Sequence, residues 1–177
     1  MPTPFWINGA LRSVIWLGAA GGLAYFKKPE GASLLAVRTD ALGWLGGGIV
    51  LAGLAFHFWS SLTLALGERP GSAANTPVTD GPFRYLRNPI YLAGITLLLG
   101  VGLLYATWRP VDLALPLLLF VYFHVSVVWV EEPALRRQFG SKYAEYCGRV
   151  PRWLPLPVSR ARADQRDDAA DRASRGS

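Results

Sequence analysis

Apolar residues form long blocks along most of this chain, and polar residues lie mainly between the blocks and after the last one. A helix of about 20 predominantly apolar residues crosses a hydrocarbon core of about 30 Å. Four blocks come close to this length or exceed it, at residues 5–26, 41–66, 90–108 and 111–130. The pattern predicts an all-α, polytopic membrane helix bundle with about four transmembrane helices.

A very short connection, Arg109-Pro110, separates the third block from the fourth. Helices joined by so short a turn are expected to pack as antiparallel neighbours. The residues just before the third block and just after the fourth then reach the same membrane face. We therefore expect residues 87–91 to lie close to residues 131–132, although about forty residues separate them.

Basic residues are distributed unevenly between the two predicted membrane faces. With four spans, fourteen of the eighteen Lys and Arg residues lie on the side that carries both termini. The positive-inside rule places that side, together with residues 87–91 and 131–132, in the cytoplasm. Membrane topology thus explains the net charge of +6 better than nucleic-acid binding does. The bias toward Ala, Gly and Arg is typical of a GC-rich bacterial genome, so the expected location is a bacterial inner membrane.

The sequence becomes amphipathic after the fourth block. A single apolar stripe at helical spacing is formed by Leu135, Phe139, Tyr143 and Tyr146. This pattern predicts a C-terminal cytoplasmic amphipathic helix that covers the end of the bundle. Beyond residue 158 the chain is rich in Ala, Arg, Asp and Ser and is predicted to be disordered. We therefore expect one membrane domain at residues 1–158 and a polar tail at residues 159–177.

The third block begins with a polar turn that has the composition of a helix start. Asn88 is a preferred N-cap residue and Pro89 a preferred first helical residue. The simplest interpretation is a well-formed helix N-terminus. A functional interpretation is that the free N–H groups of this terminus, with Arg87 beside them, attract a carboxylate. Tyr91 lies on the same side of the first turn, where its ring would be available to a cation or an adenine.

Two adjacent carboxylates, Glu131 and Glu132, directly follow the fourth block. A carboxylate costs about 2.5–3.5 kcal/mol at the centre of a membrane span and less near its end. Adjacent side chains on a helix point about 100° apart, so these two are expected to have different partners. Pairing with Arg136 and Arg137 is one explanation, and ligand binding by at least one glutamate is the other. The residue before a proline is disfavoured in helices, so Glu132 is expected to leave helical geometry.

Histidine, cysteine and glycine give weaker signals. His57 and His124 are each expected to be hydrogen-bonded to a neighbouring helix. With these two histidines and the single Cys147, a metal site is not expected. The glycine run that contains Gly46 and Gly48 is interpreted either as a close helix contact or as a place where a ligand approaches.

Three motifs together resemble a known superfamily. They are Gly81-Pro82-Phe83-Arg84-Tyr85-Leu86-Arg87-Asn88-Pro89-Ile90-Tyr91, then Glu131-Glu132-Pro133, and then Phe139-Gly140 followed by Tyr143, Tyr146 and Val150-Pro151-Arg152. In this order they are similar to the isoprenylcysteine carboxyl methyltransferase and phospholipid methyltransferase superfamily, over residues 76–155. The resemblance implies an integral membrane enzyme that uses S-adenosyl-L-methionine.

The resemblance also implies roles for particular residues. Expected cofactor contacts are Arg87, Asn88, Tyr91, Glu131 and Glu132, with Gly46 and Gly48 added from a Gly-x-Gly of the phospholipid branch. We further expect Tyr143 to contact the cationic donor through its ring, and Arg84 or Arg152 to hold an anionic group of the substrate. Glu131 or Glu132 would act as the base.

The expected reaction is methyl transfer to a lipophilic acceptor drawn from the membrane lipids, either a prenylcysteine-like carboxylate or a phospholipid amine. Prenylcysteine enzymes carry His at the position of Asn88. This difference weakens the case for a prenylcysteine substrate more than the case for the cofactor. The alternative is a non-catalytic membrane assembly or transport component built on the same scaffold.

Overall fold

The computed structural model describes residues 5–28, 30, 37–67, 76–105 and 111–154. Over these residues the chain is helical and contains no strand. The helices are α1 (Phe5–Lys27), α2 (Ala41–Gly67), α3 (Pro89–Leu104), α4 (Val111–Ser126), α5 (Glu132–Phe139) and α6 (Ser141–Arg149), with a 3₁₀ turn at Gly81–Arg84 and a π-helical segment at Val127–Glu131. The described part of each of the four apolar blocks is thus mainly helical, which confirms the all-α prediction. The predicted turn at Arg109-Pro110 and the tail at 159–177 lie outside the described residues.

Two helices are long and apolar enough to cross a membrane, Ala41–Gly67 and the continuous helix Leu113–Phe139. Large apolar side chains on both of them face outward, as Trp44 and Trp129 show with 77% and 76% of their surface exposed. A helix buried in the core of a soluble protein would not expose such side chains. The shorter helix α3 is mostly buried between its neighbours. The described structure therefore supports two spans, whereas the sequence pattern predicts four.

Helices α2 and α3 are antiparallel and approach each other closely through glycine. A Cβ atom added at Gly46 would lie 2.6 Å from the backbone nitrogen of Leu104, and one at Gly53 would lie 3.0 Å from that of Leu97. Only residues without a side chain allow two helix backbones to come this near. Gly46 therefore makes the close helix contact, at the C-terminal end of α3.

Helix α1 packs across α3 and bonds to α2. Trp16 is fully buried and lies over Gly94, and its ring centroid is 5.0 Å from that of Phe123. His57 Nε2 is hydrogen-bonded to Ser13 Oγ at 3.0 Å. The prediction that His57 bonds to a neighbouring helix is confirmed.

The chain stays helical through Glu132, so the prediction that Pro133 removes Glu132 from helical geometry is wrong. Glu132 has φ −60° and ψ −42°, and its N–H donates to the carbonyl of Val127, five residues earlier. Pro133 has no N–H, and its ring would clash with the carbonyl four residues before it in a regular helix. The wider π turn just before Glu132 accommodates the proline.

The C-terminal amphipathic segment forms two short helices, where the sequence pattern predicts one. Gly140 separates α5 from α6 with φ +57° and ψ −128°, a conformation that favours glycine. The predicted apolar stripe still packs together, because Leu135 and Phe139 contact the buried pair Tyr143 and Tyr146.

Candidate functional site

Arg87 and Glu132 meet at the end of the bundle, 45 residues apart in sequence. Arg87 Nη1 donates to Glu132 Oε1 at 2.9 Å, and the side chains are only 11% and 8% exposed. Arg87 ends the turn before α3, and Glu132 follows the π segment. The expected approach of these two sequence patches is confirmed.

A second arginine shares the same carboxylate. Arg152 donates from Nε to Glu132 Oε1 at 2.8 Å and from Nη2 to Oε2 at 2.9 Å. These hydrogen bonds raise the pKa of Arg152 above its ordinary value, so the guanidinium stays charged. Two guanidinium groups and one carboxylate leave one positive charge in excess. Arg87 Nε is buried and has no hydrogen-bond partner in the part of the chain that the structure describes.

Arg136 and Arg137, the alternative partners considered for the glutamates, are both exposed. Glu131 accepts a hydrogen bond from the Tyr91 hydroxyl. The two adjacent carboxylates therefore have different partners, as their angular separation predicts. Tyr91 is almost completely buried, with its ring 4.5 Å from the ring of Phe123 between centroids.

Asn88 and Tyr143 also border this cluster. Asn88 directly precedes α3 as predicted, but its side chain does not cap the helix. Its Nδ2 donates to the backbone carbonyl of Arg152 at 3.2 Å. Tyr143 is buried in α6, and that burial raises the pKa of its phenol. Cys147, one turn further along α6, accepts a hydrogen bond from Arg87 Nη1 at 2.9 Å.

Residues 150–153, which we name the C-terminal strap, lie across this end of the bundle. The N–H of Arg87 donates to the carbonyl of Pro151 at 2.9 Å. Trp153 Nε1 donates to His124 Nδ1 at 2.9 Å, so the partner of His124 is this strap and not a neighbouring helix as predicted. Sequence reasoning missed the bond between Trp153 and His124. The signal available in the sequence was the motif Val150-Pro151-Arg152, which directly precedes Trp153.

Three predicted site residues are not brought to the cluster. Arg84 is exposed, with its guanidinium carbon 5.4 Å from the ring centroid of Tyr85. Gly46 packs near Leu104, at the opposite end of α3 from Tyr91. Gly48 is exposed, and a Cβ atom added there would have no neighbour within 4 Å. Helix α3 has 16 residues and is about 24 Å long, so the glycines are far from the cluster.

The cluster combines both signs of charge with aromatic surface, which suits a zwitterionic ligand. The excess positive charge and the unpartnered Arg87 Nε favour an anionic group. Glu131 is partly exposed and supplies negative charge beside the Tyr91 hydroxyl. The two carboxylates and two arginines thus separate into a positive part around Arg87 and a negative part at Glu131.

Comparison with known proteins adds a family match. The family model of phospholipid methyltransferases matches residues 41–142, which include Arg87, Tyr91 and both glutamates. The cobalt-zinc-cadmium resistance protein CzcN of Cupriavidus metallidurans is 30% identical over 114 residues, which are 64% of this chain and 48% of that protein. Phosphatidylethanolamine N-methyltransferase B of Dictyostelium discoideum is 23% identical over 115 residues, 62% of this chain and 56% of that protein. The chain spans about half the length of these curated relatives. No solved structure is significantly similar to it.

Proposed function

The chain belongs to the phospholipid methyltransferase family, and on that basis we propose that it is a membrane enzyme that transfers a methyl group from S-adenosyl-L-methionine to a lipophilic acceptor. The observation that carries the proposal is the meeting of Arg87 and Glu132, with Tyr91 and Glu131 beside them, within the residues that the family model matches. Motifs that lie far apart in the sequence thus form a single polar cluster.

The proposed topology has four spans, with the cluster and both termini in the cytoplasm, in a bacterial inner membrane. Support comes from the two helices that meet the length and composition of a span and from the excess of basic residues on one side. The excess of basic residues stays on the side of the cluster whether or not α1 crosses the membrane completely. The reason is that residues 87–91 and 131–132 flank the α3–α4 pair.

The cluster fits the charges of S-adenosyl-L-methionine, which carries an amino-acid carboxylate, an ammonium and a sulfonium. We assign the carboxylate to Arg87 and Asn88, and the cationic part to Glu131 with the rings of Tyr91 and Tyr143. Gly46 and Gly48 have no place in this assignment, because they lie near the other end of α3.

When bound, the cofactor supplies a methyl group on a positively charged sulfur. Arg87 and Asn88 at its carboxylate, and Glu131 at its cationic part, would hold it so that this methyl group is presented to the acceptor. The chain contributes alignment of the two reactants and exclusion of water. An amine acceptor must also lose a proton, and Glu131, partly exposed beside Tyr91, is positioned to accept it.

The family favours a phospholipid amine over a prenylcysteine-like carboxylate as the acceptor, and Asn88 in place of His agrees with this preference. Arg152, which lies in the cluster, is a better candidate than the exposed Arg84 for contact with an anionic group of the lipid. The test is incubation of the purified protein with methyl-labelled cofactor and a total lipid extract. Label in a lipid amine supports the proposal, whereas label in a base-labile ester would identify a carboxylate acceptor instead.

A second candidate function is a non-catalytic membrane assembly or transport component. The similarity to CzcN, whose name describes metal resistance, favours keeping this candidate. The two candidates differ in whether the protein binds the cofactor. A melting temperature that rises with added S-adenosyl-L-methionine supports the enzyme, and one that does not change favours the non-catalytic component.

A further inference from the structure

The two adjacent glutamates differ in their burial and in the partners that the structure gives them. Both oxygens of Glu132 accept bonds from guanidinium groups, and only 6% of the residue is exposed. The paired bonds from Arg152 are parallel and bidentate, an arrangement that fixes geometry as well as charge. Glu131 is partly exposed and accepts a hydrogen bond from the Tyr91 hydroxyl. A ligand would therefore have to displace an arginine to reach Glu132.

The residue that Glu132 holds, Arg152, belongs to the C-terminal strap, and the strap in turn holds the turn before α3. The carbonyl of Pro151 accepts the N–H of Arg87, and the carbonyl of Arg152 accepts Asn88 Nδ2. Arg87 and Asn88 are the residues assigned to the carboxylate end of the cofactor. Glu132 is thus connected to Arg87 by a direct hydrogen bond, and to both residues through Arg152 and the strap.

The far end of the strap supports the other half of the cluster. Trp153 bonds to His124 on α4, and its ring centroid lies 5.0 Å from that of Phe120 and 6.3 Å from that of Tyr91. The strap therefore packs near the ring of Tyr91, whose hydroxyl donates a hydrogen bond to Glu131 and so orients that carboxylate.

We propose that Glu132 is a positioning residue, which fixes the C-terminal strap through Arg152 and so holds Arg87, Asn88 and Tyr91 in place, while Glu131 is the carboxylate that contacts the bound ligands. The inference rests on the proposed methyltransferase function. It differs from a direct role for both glutamates in one measurable respect. If Glu132 acts through Arg152, substitutions at the two positions impair the same step and do not add.

The kinetic test compares Glu132→Gln, Arg152→Gln and the double variant, with the KM for cofactor and for lipid measured separately. We expect the cofactor KM to rise at least about 10-fold in each single variant, the factor that loss of a hydrogen bond to a charged group gives. The double variant should be no worse than the worse single variant. A cofactor KM that stays at the parent value in Arg152→Gln, or that rises in the double variant by the product of the two single effects, would overturn the proposal. Glu145→Gln removes an exposed carboxylate of α6 and is the matched control.

A second test does not depend on activity. Trypsin cleaves after arginine, and Arg149 directly precedes the strap while Arg152 lies within it. Cleavage at these two sites, identified by mass spectrometry, therefore reports whether the strap is held. We expect faster cleavage in Glu132→Gln and the parent rate in Glu131→Gln. An unchanged rate in Glu132→Gln contradicts the proposal even if the protein transfers methyl groups.

A milder variant keeps the test decisive if Glu132→Gln does not fold. Trp153→Phe keeps an aromatic ring and removes only the N–H that bonds to His124. It should increase cleavage after Arg152 and raise the cofactor KM, and parent-like values for both would count against the strap. If the parent binds no cofactor, the proposed function fails, and the cleavage rates still decide whether Glu132 holds the strap.

Discussion

The sharpest prediction concerns the two glycines of α2 that sequence similarity assigns to the cofactor. Alanine at Gly46 would place its Cβ 2.6 Å from the nitrogen of Leu104 and 2.9 Å from the carbonyl carbon of Leu103. Both are backbone atoms, so α2 and α3 must move apart. Alanine at Gly48 would meet no atom within 4 Å. The two substitutions are chemically identical and lie two residues apart on one helix.

The magnitude follows from the difference between the two variants. Replacing Gly by Ala inside a helix gains about 1 kcal/mol of helix propensity at either site, and this term cancels in the comparison. Overpacking of a close contact costs about 1–3 kcal/mol and applies only to Gly46. We therefore expect Gly46→Ala to unfold more easily than Gly48→Ala by about 1–3 kcal/mol, or roughly 2–4 °C in melting temperature for each 1 kcal/mol.

The assay is thermal unfolding of both variants in the same detergent, together with cofactor binding. Gly48→Ala should bind S-adenosyl-L-methionine as the parent does, because Gly48 is remote from Arg87 and Glu131. Equal stability of the two variants would refute the α2–α3 contact. Loss of cofactor binding in a stable Gly48→Ala variant would refute the location of the site.

Three further predictions concern the C-terminal helices. Tyr146→Phe removes the hydroxyl that donates to the carbonyl of Phe83 at 2.7 Å and should lower the unfolding free energy by about 1 kcal/mol in denaturant titration. Gly140→Ala places a side chain at φ +57° and should cost about 1–3 kcal/mol by the same assay, whereas Gly148→Ala, inside α6 with open space around it, should be neutral or stabilising. Burial raises the pKa of Tyr143 and Tyr146 above the unfolded value of about 10, so the folded state favours their neutral forms. The stabilising effect of this burial should therefore be complete below that pH and decrease as the pH rises above it. A phenolate absorbance of the folded protein that disappears in Tyr143→Phe or Tyr146→Phe would contradict this burial.

The sequence was sufficient to predict what depends on local pattern and chain connectivity. The long apolar blocks predict helices because a helix that crosses a membrane needs about 20 consecutive, mostly apolar residues. The approach of Arg87 and Glu132 follows from a short connection, without knowledge of side-chain packing. The break at Gly140 had a local signal, since glycine commonly ends a helix, but the regular spacing of the tyrosines outweighed it.

What the sequence did not predict depends on the path of the chain after α6. The partners of Glu132 and His124 are Arg152 and Trp153, and no periodicity fixes where a non-helical strap will lie. The π segment before Pro133 was equally hidden, because a π turn has no distinctive composition.

The most direct measurement of the central claim is transfer of labelled methyl groups to lipid by the parent and by Glu131→Gln, at saturating cofactor. The variant keeps the size of the side chain and removes the charge and the base. The account predicts label in a lipid amine with the parent and almost none with Glu131→Gln, while tryptic cleavage at the strap stays at the parent rate. Transfer by Glu131→Gln at the parent rate, or no transfer by the parent to any lipid, would contradict it.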